Sequence, residues 1–151
     1  MAPTDPTPTA PEAPPEKSII DHLNSWGSSS LPPSLLATLI TALHARPASP
    51  LPLILFPPTL LFSSYLNLSG YPTSSAGLTA AWSGLYALLA LRRPQSLRSK
   101  LSVRGVVRAS AIGLGAANCA AGGWVYFHGS LERDREERVR RNRWGQYNDS
   151  E

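Results

Sequence analysis

Two long stretches of this chain, residues 47–91 and residues 109–127, contain no Asp, Glu, Lys, Arg or His. A charge at the centre of a membrane-spanning helix costs about 2.5 to 3.5 kcal/mol on insertion scales. Charge-free windows of this length, flanked by dense charge, are therefore what spanning segments require. The pattern predicts an all-α integral membrane protein with two or three transmembrane helices.

The rest of the chain divides around these windows. Residues 1–17 hold six prolines and no large apolar side chain after Met1, which predicts an extended arm because proline removes backbone donors. Residues 18–46 form a predicted amphipathic or interfacial segment, 47–128 a transmembrane helical region, and 129–151 a charged polar tail. The polar tails dilute the apolar middle, so the overall apolar fraction is only 42%.

Within the apolar region, the spans are predicted at residues 51–68, 74–91 and 106–127. The first contains three prolines, which predict a kink rather than an end, since prolines are tolerated better in membranes than in water. Before it, apolar residues recur at helical spacing over 35–43. This stretch is too short to cross about 30 Å of hydrocarbon. It favours a helix at the membrane surface or against a partner, with an irregular additional span as the alternative.

Small residues recur four apart along the second and third spans, a spacing that lets helix backbones approach closely in lipid. The predicted helix-packing residues are Gly77, Ala81, Gly84, Ala109, Gly113, Ala117 and Ala121. A second ribbon on the third span runs through Ala111, Gly115, Cys119 and Gly123.

Charge asymmetry predicts the orientation. Residues 92–108 carry six basic side chains and no acid, whereas 129–151 carry six arginines and six acids. The positive-inside rule then places the basic loop on the positive-inside face of the membrane and the C-terminus on the opposite face. Topology also explains the net charge of +4 better than binding to nucleic acid does.

The tail is predicted to be helical over 131–143, because acids precede arginines by four residues three times. No apolar stripe accompanies these pairs, so the tail is expected to continue the third span as a solvated helix. Its predicted partner-binding residues are Arg138, Arg141, Trp144 and Tyr147.

No catalytic, cofactor or metal site is predicted. The three histidines lie far apart in sequence, and none has a carboxylate or cysteine at ligand spacing. Asn118, inside the third span, is interpreted as a polar contact between helices. The expected partners are membrane lipid and other subunits of a membrane complex, with no nucleic acid and no small-molecule substrate.

Residues 61–90 resemble the fungal family called altered inheritance of mitochondria protein 19. The similarity rests on a span, a short polar turn, and a helix of the form AG-x-x-x-A-W-S-x-L-Y, here Ala76, Gly77, Ala81, Trp82, Ser83, Leu85 and Tyr86. It continues to about residue 127. The resemblance implies a small multi-pass mitochondrial membrane protein. In the mitochondrial inner membrane, the basic loop is then expected in the matrix and the C-terminus in the intermembrane space. The two tails instead resemble the arms of fungal accessory subunits of respiratory complex I.

Together these features favour a non-catalytic accessory or assembly subunit of a mitochondrial respiratory complex, with complex I (NADH:ubiquinone oxidoreductase) as first choice. The alternative is a self-standing membrane protein that affects mitochondrial inheritance or membrane organisation.

Overall fold

A computed structural model describes residues 18–45, 50–92 and 102–141, and these residues form helices without any strand. The predicted all-α class is therefore confirmed for this part of the chain. The helices are α1 (Ile19–Gly27), α2 (Leu31–His44), α3 (Pro50–Leu68), α4 (Pro72–Leu91), α5 (Val103–His128) and α6 (Leu131–Arg141). The N-terminal arm and the last ten residues lie outside the described residues.

Among the described helices, α3 and α4 are long and apolar enough to cross a membrane. Both lie close to the first two predicted spans, and α3 continues through Pro57 and Pro58. The third predicted span is also one helix, α5, with 26 residues. Its many small residues and its Asn118 make it less apolar than α3 and α4. It is therefore long enough to cross a membrane but is not among the helices that are also apolar enough.

The apolar core lies where α2, α3 and α4 meet. Leu36 and Ile40 of α2, Leu60 of α3 and Tyr86 of α4 are buried together. Phe56 stands edge-on to Tyr86, with the ring centroids 5.3 Å apart, a favoured geometry for aromatic pairs. The helix predicted at 35–43 is thus present, and its apolar face packs within its own chain.

The expectation that the charged tail continues the third span is wrong. Gly129 has an extended backbone (φ −75°, ψ 157°) and ends α5. After Ser130 a separate helix, α6, folds back toward the start of α4. The residue that holds it there is Asp134, whose side chain is buried.

Candidate interaction surfaces

The most extensive helix contact is between α4 and α5, and glycines make it possible. A Cβ atom at Gly122 would lie 2.7 Å from the Ala76 carbonyl oxygen, and one at Gly115 would lie 3.1 Å from the Ser83 carbonyl oxygen. Both neighbours are backbone atoms of α4, which no rotamer change can move. Because glycine has no Cβ, the two backbones approach closely, the contact type that holds helices together in lipid.

The predicted packing residues divide into two groups. Gly84 lies against the Cys119 side chain, Gly77 against the Tyr126 ring, and Ala121 is buried. The other four are exposed: Ala81, Ala109, Gly113 and Ala117. A Cβ atom at Gly113 would meet no atom of the described residues within 4 Å. The four exposed positions are thus not buried by another described helix, and their role in packing stays a prediction.

Gly122 was missed from the sequence, and Gly115 was placed only on the second ribbon. The position of Asn118 indicates, from the sequence, which face of α5 lies toward the other helices. A buried polar side chain in an apolar helix faces the helix bundle rather than lipid. Residues three before and four after it share its face, and these are Gly115 and Gly122. The face opposite Asn118 holds Gly113.

Hydroxyl groups join α3 to α4 inside the bundle. Ser63 Oγ donates to the Ser75 carbonyl oxygen (2.8 Å), and Ser75 Oγ donates to the Ser63 carbonyl oxygen (2.7 Å). Thr79 Oγ1 lies 2.5 Å from Ser63 Oγ. All three side chains are buried. Ser64 extends the hydroxyl contacts to α2 through the Ser34 hydroxyl, 2.9 Å away.

A second polar contact holds α1 on α5. Trp26 Nε1 donates to Asn118 Oδ1 at 2.9 Å, and Gly27 lies against the Ala121 backbone. Among the described residues, the amide nitrogen of Asn118 has no hydrogen-bond partner, and neither does the buried Ser83 hydroxyl. Asn118 therefore acts as a contact between helices through its oxygen.

Charged side chains from outside α4 cap both of its ends. The Thr73 N–H donates to Asp134 Oδ2 at 3.0 Å, so a carboxylate lies at the helix N-terminus. Arg108 donates to the Ala90 carbonyl oxygen near the C-terminus. Arg104 caps α2 in the same way, donating to the Leu43 carbonyl oxygen at 3.0 Å. Each charge has the sign that the helix dipole favours at that end, and each satisfies a terminal backbone group.

Of the predicted tail residues, Arg138 is occupied within the chain. Its guanidinium donates to the Gly70 carbonyl oxygen (3.2 Å) and lies over the Tyr71 ring, 3.7 Å from the centroid. Gly70 has φ +87°, a conformation that favours glycine and makes the tight turn between α3 and α4. Arg138 thus fixes α6 to this turn. Arg141 is exposed, and its guanidinium lies 3.9 Å from the Glu137 carboxylate.

The remaining tail predictions have different outcomes. Glu137–Arg141 is the one of the three expected acid–base pairs that lies within ion-pair distance in the described part of α6. Asp134, expected to pair with Arg138, bonds to the Thr73 N–H instead. Trp144 and Tyr147 lie outside the described residues.

Potential metal ligands are dispersed. Within residues 18–45, 50–92 and 102–141, no three His, Cys, Asp or Glu side chains lie close enough together to hold a metal ion. His44 and His128 each place Nδ1 2.9 Å from the carbonyl oxygen four residues earlier in their helices. Both imidazoles therefore have local structural contacts.

No family model, curated protein or solved structure matches the chain. The candidate sites rest on the residues and their geometry.

Proposed function

We propose that this chain is a non-catalytic accessory or assembly subunit of a mitochondrial inner-membrane respiratory complex, with complex I as first choice. The observation that carries the proposal is the outer surface of α3 and α4: large apolar side chains are exposed there, while hydroxyl and amide side chains are buried between the helices beside the apolar core. Such an exterior fits lipid and neighbouring subunits, whereas a soluble protein rarely exposes a contiguous apolar patch larger than a few hundred Å².

Burial within α3 and α4 supports membrane insertion. Only 28% of the apolar window of α3 and 33% of that of α4 is buried, whereas a core helix of a soluble protein is mostly buried. Their outward side chains are large and apolar, as at Ile54, Phe62 and Leu88. Buried serines and threonines between helices are typical of membrane bundles, where hydroxyls bond across helices.

Dimensions also support insertion. The 20 residues of α4 span about 30 Å, close to the hydrocarbon thickness of a bilayer. The charged caps Arg108 and Asp134 lie at its opposite ends, where headgroups and water would solvate their other polar atoms. Tyr126 and Phe127 are exposed near the Asp134 end, a depth at which aromatic rings are enriched.

The exposed small residues provide a surface for a neighbouring subunit. Ala109, Gly113 and Ala117 lie on the side of α5 that faces away from α4. A helix from another subunit could approach this surface as closely as α4 approaches Gly115 and Gly122. The resemblance to fungal mitochondrial membrane proteins supports the choice of compartment, and the proposed topology places residues 92–108 in the matrix.

Native gel electrophoresis after mild detergent extraction tests the proposal. A subunit migrates with a large respiratory assembly and is lost from it when Gly113→Leu or Ala117→Leu obstructs the small-residue face. Ala42→Leu provides the matched control, because Ala42 is exposed on α2. A wild-type chain that migrates alone would contradict the subunit role and favour the self-standing membrane protein. Equal retention of the three variants would exclude this face as the contact.

A further inference from the structure

A cavity of about 710 Å³ opens at the end of the bundle where Asp134 caps α4. Its volume lies within the roughly 300 to 1,000 Å³ range of small-molecule sites. Its lining comes from several helices: α6 contributes five residues, α1 contributes Ile20 and Asn24, and the end of α5 contributes Trp124 and His128. We call it the end cavity.

The α6 wall of the end cavity carries three arginines and two acids. The arginines are Arg133, Arg138 and Arg141, and the acids are Asp134 and Glu137. With His128 neutral, the lining has a net charge of +1.

Both acids have a partner within the chain. Asp134 accepts the Thr73 N–H at the N-terminus of α4, where the helix dipole offsets its negative charge. Glu137 lies 3.9 Å from Arg141. The positive charge of Arg133 remains uncompensated by these contacts, and the lining therefore favours an anionic group.

The three arginines line the end cavity from different positions on α6. Arg138 is held by the Gly70 carbonyl oxygen and the Tyr71 ring. At about 1.5 Å and about 100° per residue, Arg141 begins about 4.5 Å along the helix and about 60° around it from Arg138, and Arg133 about 7.5 Å along and about 140° around. The side chains of Arg133 and Arg141 are exposed. Guanidinium groups bind phosphate through two parallel hydrogen bonds.

The remaining lining is mixed. Asn24, Ser28 and Asn67 are polar, whereas Ile20, Trp124 and Val125 are apolar or aromatic. Trp124 stacks on His128 with the ring centroids 3.9 Å apart, and Ile20 is half exposed. Arginines beside amide, hydroxyl and apolar side chains match a molecule that carries a phosphate, uncharged polar groups and the start of a hydrocarbon chain.

We propose that the end cavity binds a phospholipid headgroup, with its phosphate against Arg133, Arg138 and Arg141 and its glycerol and first acyl carbons along Trp124 and Ile20. The inference rests on the membrane placement in the proposed function, since that placement brings the cavity to headgroup depth.

The chain supplies a matched test. Arg133→Gln with Arg141→Gln removes two arginines that line the end cavity, and Arg135→Gln with Arg140→Gln removes two exposed arginines of the same helix that do not. The two double variants have equal net charge. We expect native mass spectrometry of the full chain in detergent to give a dissociation constant for dihexanoyl phosphatidylglycerol at least about tenfold weaker for the first double variant only, because it loses charge-assisted hydrogen bonds.

Three results would overturn the proposal. Equal weakening in both double variants would mean nonspecific attraction by charge, and no weakening in either would place the lipid elsewhere. Equally tight binding of glycerol 3-phosphate would assign the cavity to a soluble phosphate ester. If the chain migrates alone on native gels but only the first double variant binds the lipid more weakly, the proposed subunit role is contradicted and the proposed lipid site is supported.

Discussion

Replacing Gly122 by alanine tests the close α4–α5 contact. The added methyl group would lie 2.7 Å from the Ala76 carbonyl oxygen and 3.3 Å from the Ala80 Cβ atom. An ordinary carbon–oxygen contact is about 3.3 to 3.6 Å, so the helices must separate locally by about 0.6 to 0.9 Å. A gap of that size forfeits about a quarter to a half of the dispersion energy of each affected atom pair.

The neighbouring Gly123 provides the reference. A Cβ atom there would meet no described atom within 4 Å, so Gly123→Ala only restores helix propensity, worth about 0.5 to 1 kcal/mol. Gly122→Ala gains the same amount but adds an overpacking cost of about 1 to 3 kcal/mol. The propensity terms cancel between the variants, and we expect Gly122→Ala to be less stable than Gly123→Ala by about 1 to 3 kcal/mol.

Denaturant unfolding of the full chain in mild detergent micelles, followed by far-ultraviolet circular dichroism, measures this difference. Both variants keep the same composition and the same helix, so the comparison isolates the packing contact. Equal unfolding free energies for the two variants would refute the reasoning, because they would mean that α4 and α5 are not in contact at Gly122.

Three further predictions concern the polar contacts and the topology. Trp26→Phe should lower the unfolding free energy by about 1 to 3 kcal/mol by leaving Asn118 Oδ1 buried without a donor, and in an Asn118→Leu background the same change should cost much less. Asp134→Ala should weaken the attachment of α6 by about 1.5 to 3 kcal/mol and speed trypsin cleavage within α6, while Glu136→Ala, at an exposed position, should leave the cleavage rate unchanged. A C-terminal tag should be cleaved by protease outside intact mitoplasts, since residues 92–108 are expected in the matrix; a protected tag contradicts this orientation.

The helices could be predicted because their signals are local. The charge-free windows placed α3 and α4 to within about two residues, since absence of charge and helix length are both constraints of a bilayer. Pro57 and Pro58 do not end α3. The third span was also located as a helix, although Asn118 and its small residues make it less apolar than the other two.

The tertiary contacts could not be predicted, because their partners lie far apart in the chain. Trp26 and Asn118 are 92 residues apart, and Asp134 bonds to a backbone N–H 61 residues earlier. Nothing local distinguishes Asp134 from the other acids of α6, so pairing with Arg138 four residues later was the natural expectation. The face of α5 that meets α4 is an exception, because the polar Asn118 within an otherwise charge-free span indicates it from the sequence.

The two caps on α4 also oppose sliding of this helix along α5. Arg108 belongs to the second turn of α5, Asp134 follows its C-terminal end, and together they hold opposite ends of α4. Sliding α5 and α6 along α4 by one turn, about 5.4 Å, would break both contacts at once. The pair therefore fixes the position of α5 and α6 along α4. In the proposed membrane placement, a bilayer with a hydrocarbon core thinner or thicker than about 30 Å would deform around these helices or tilt them as one unit.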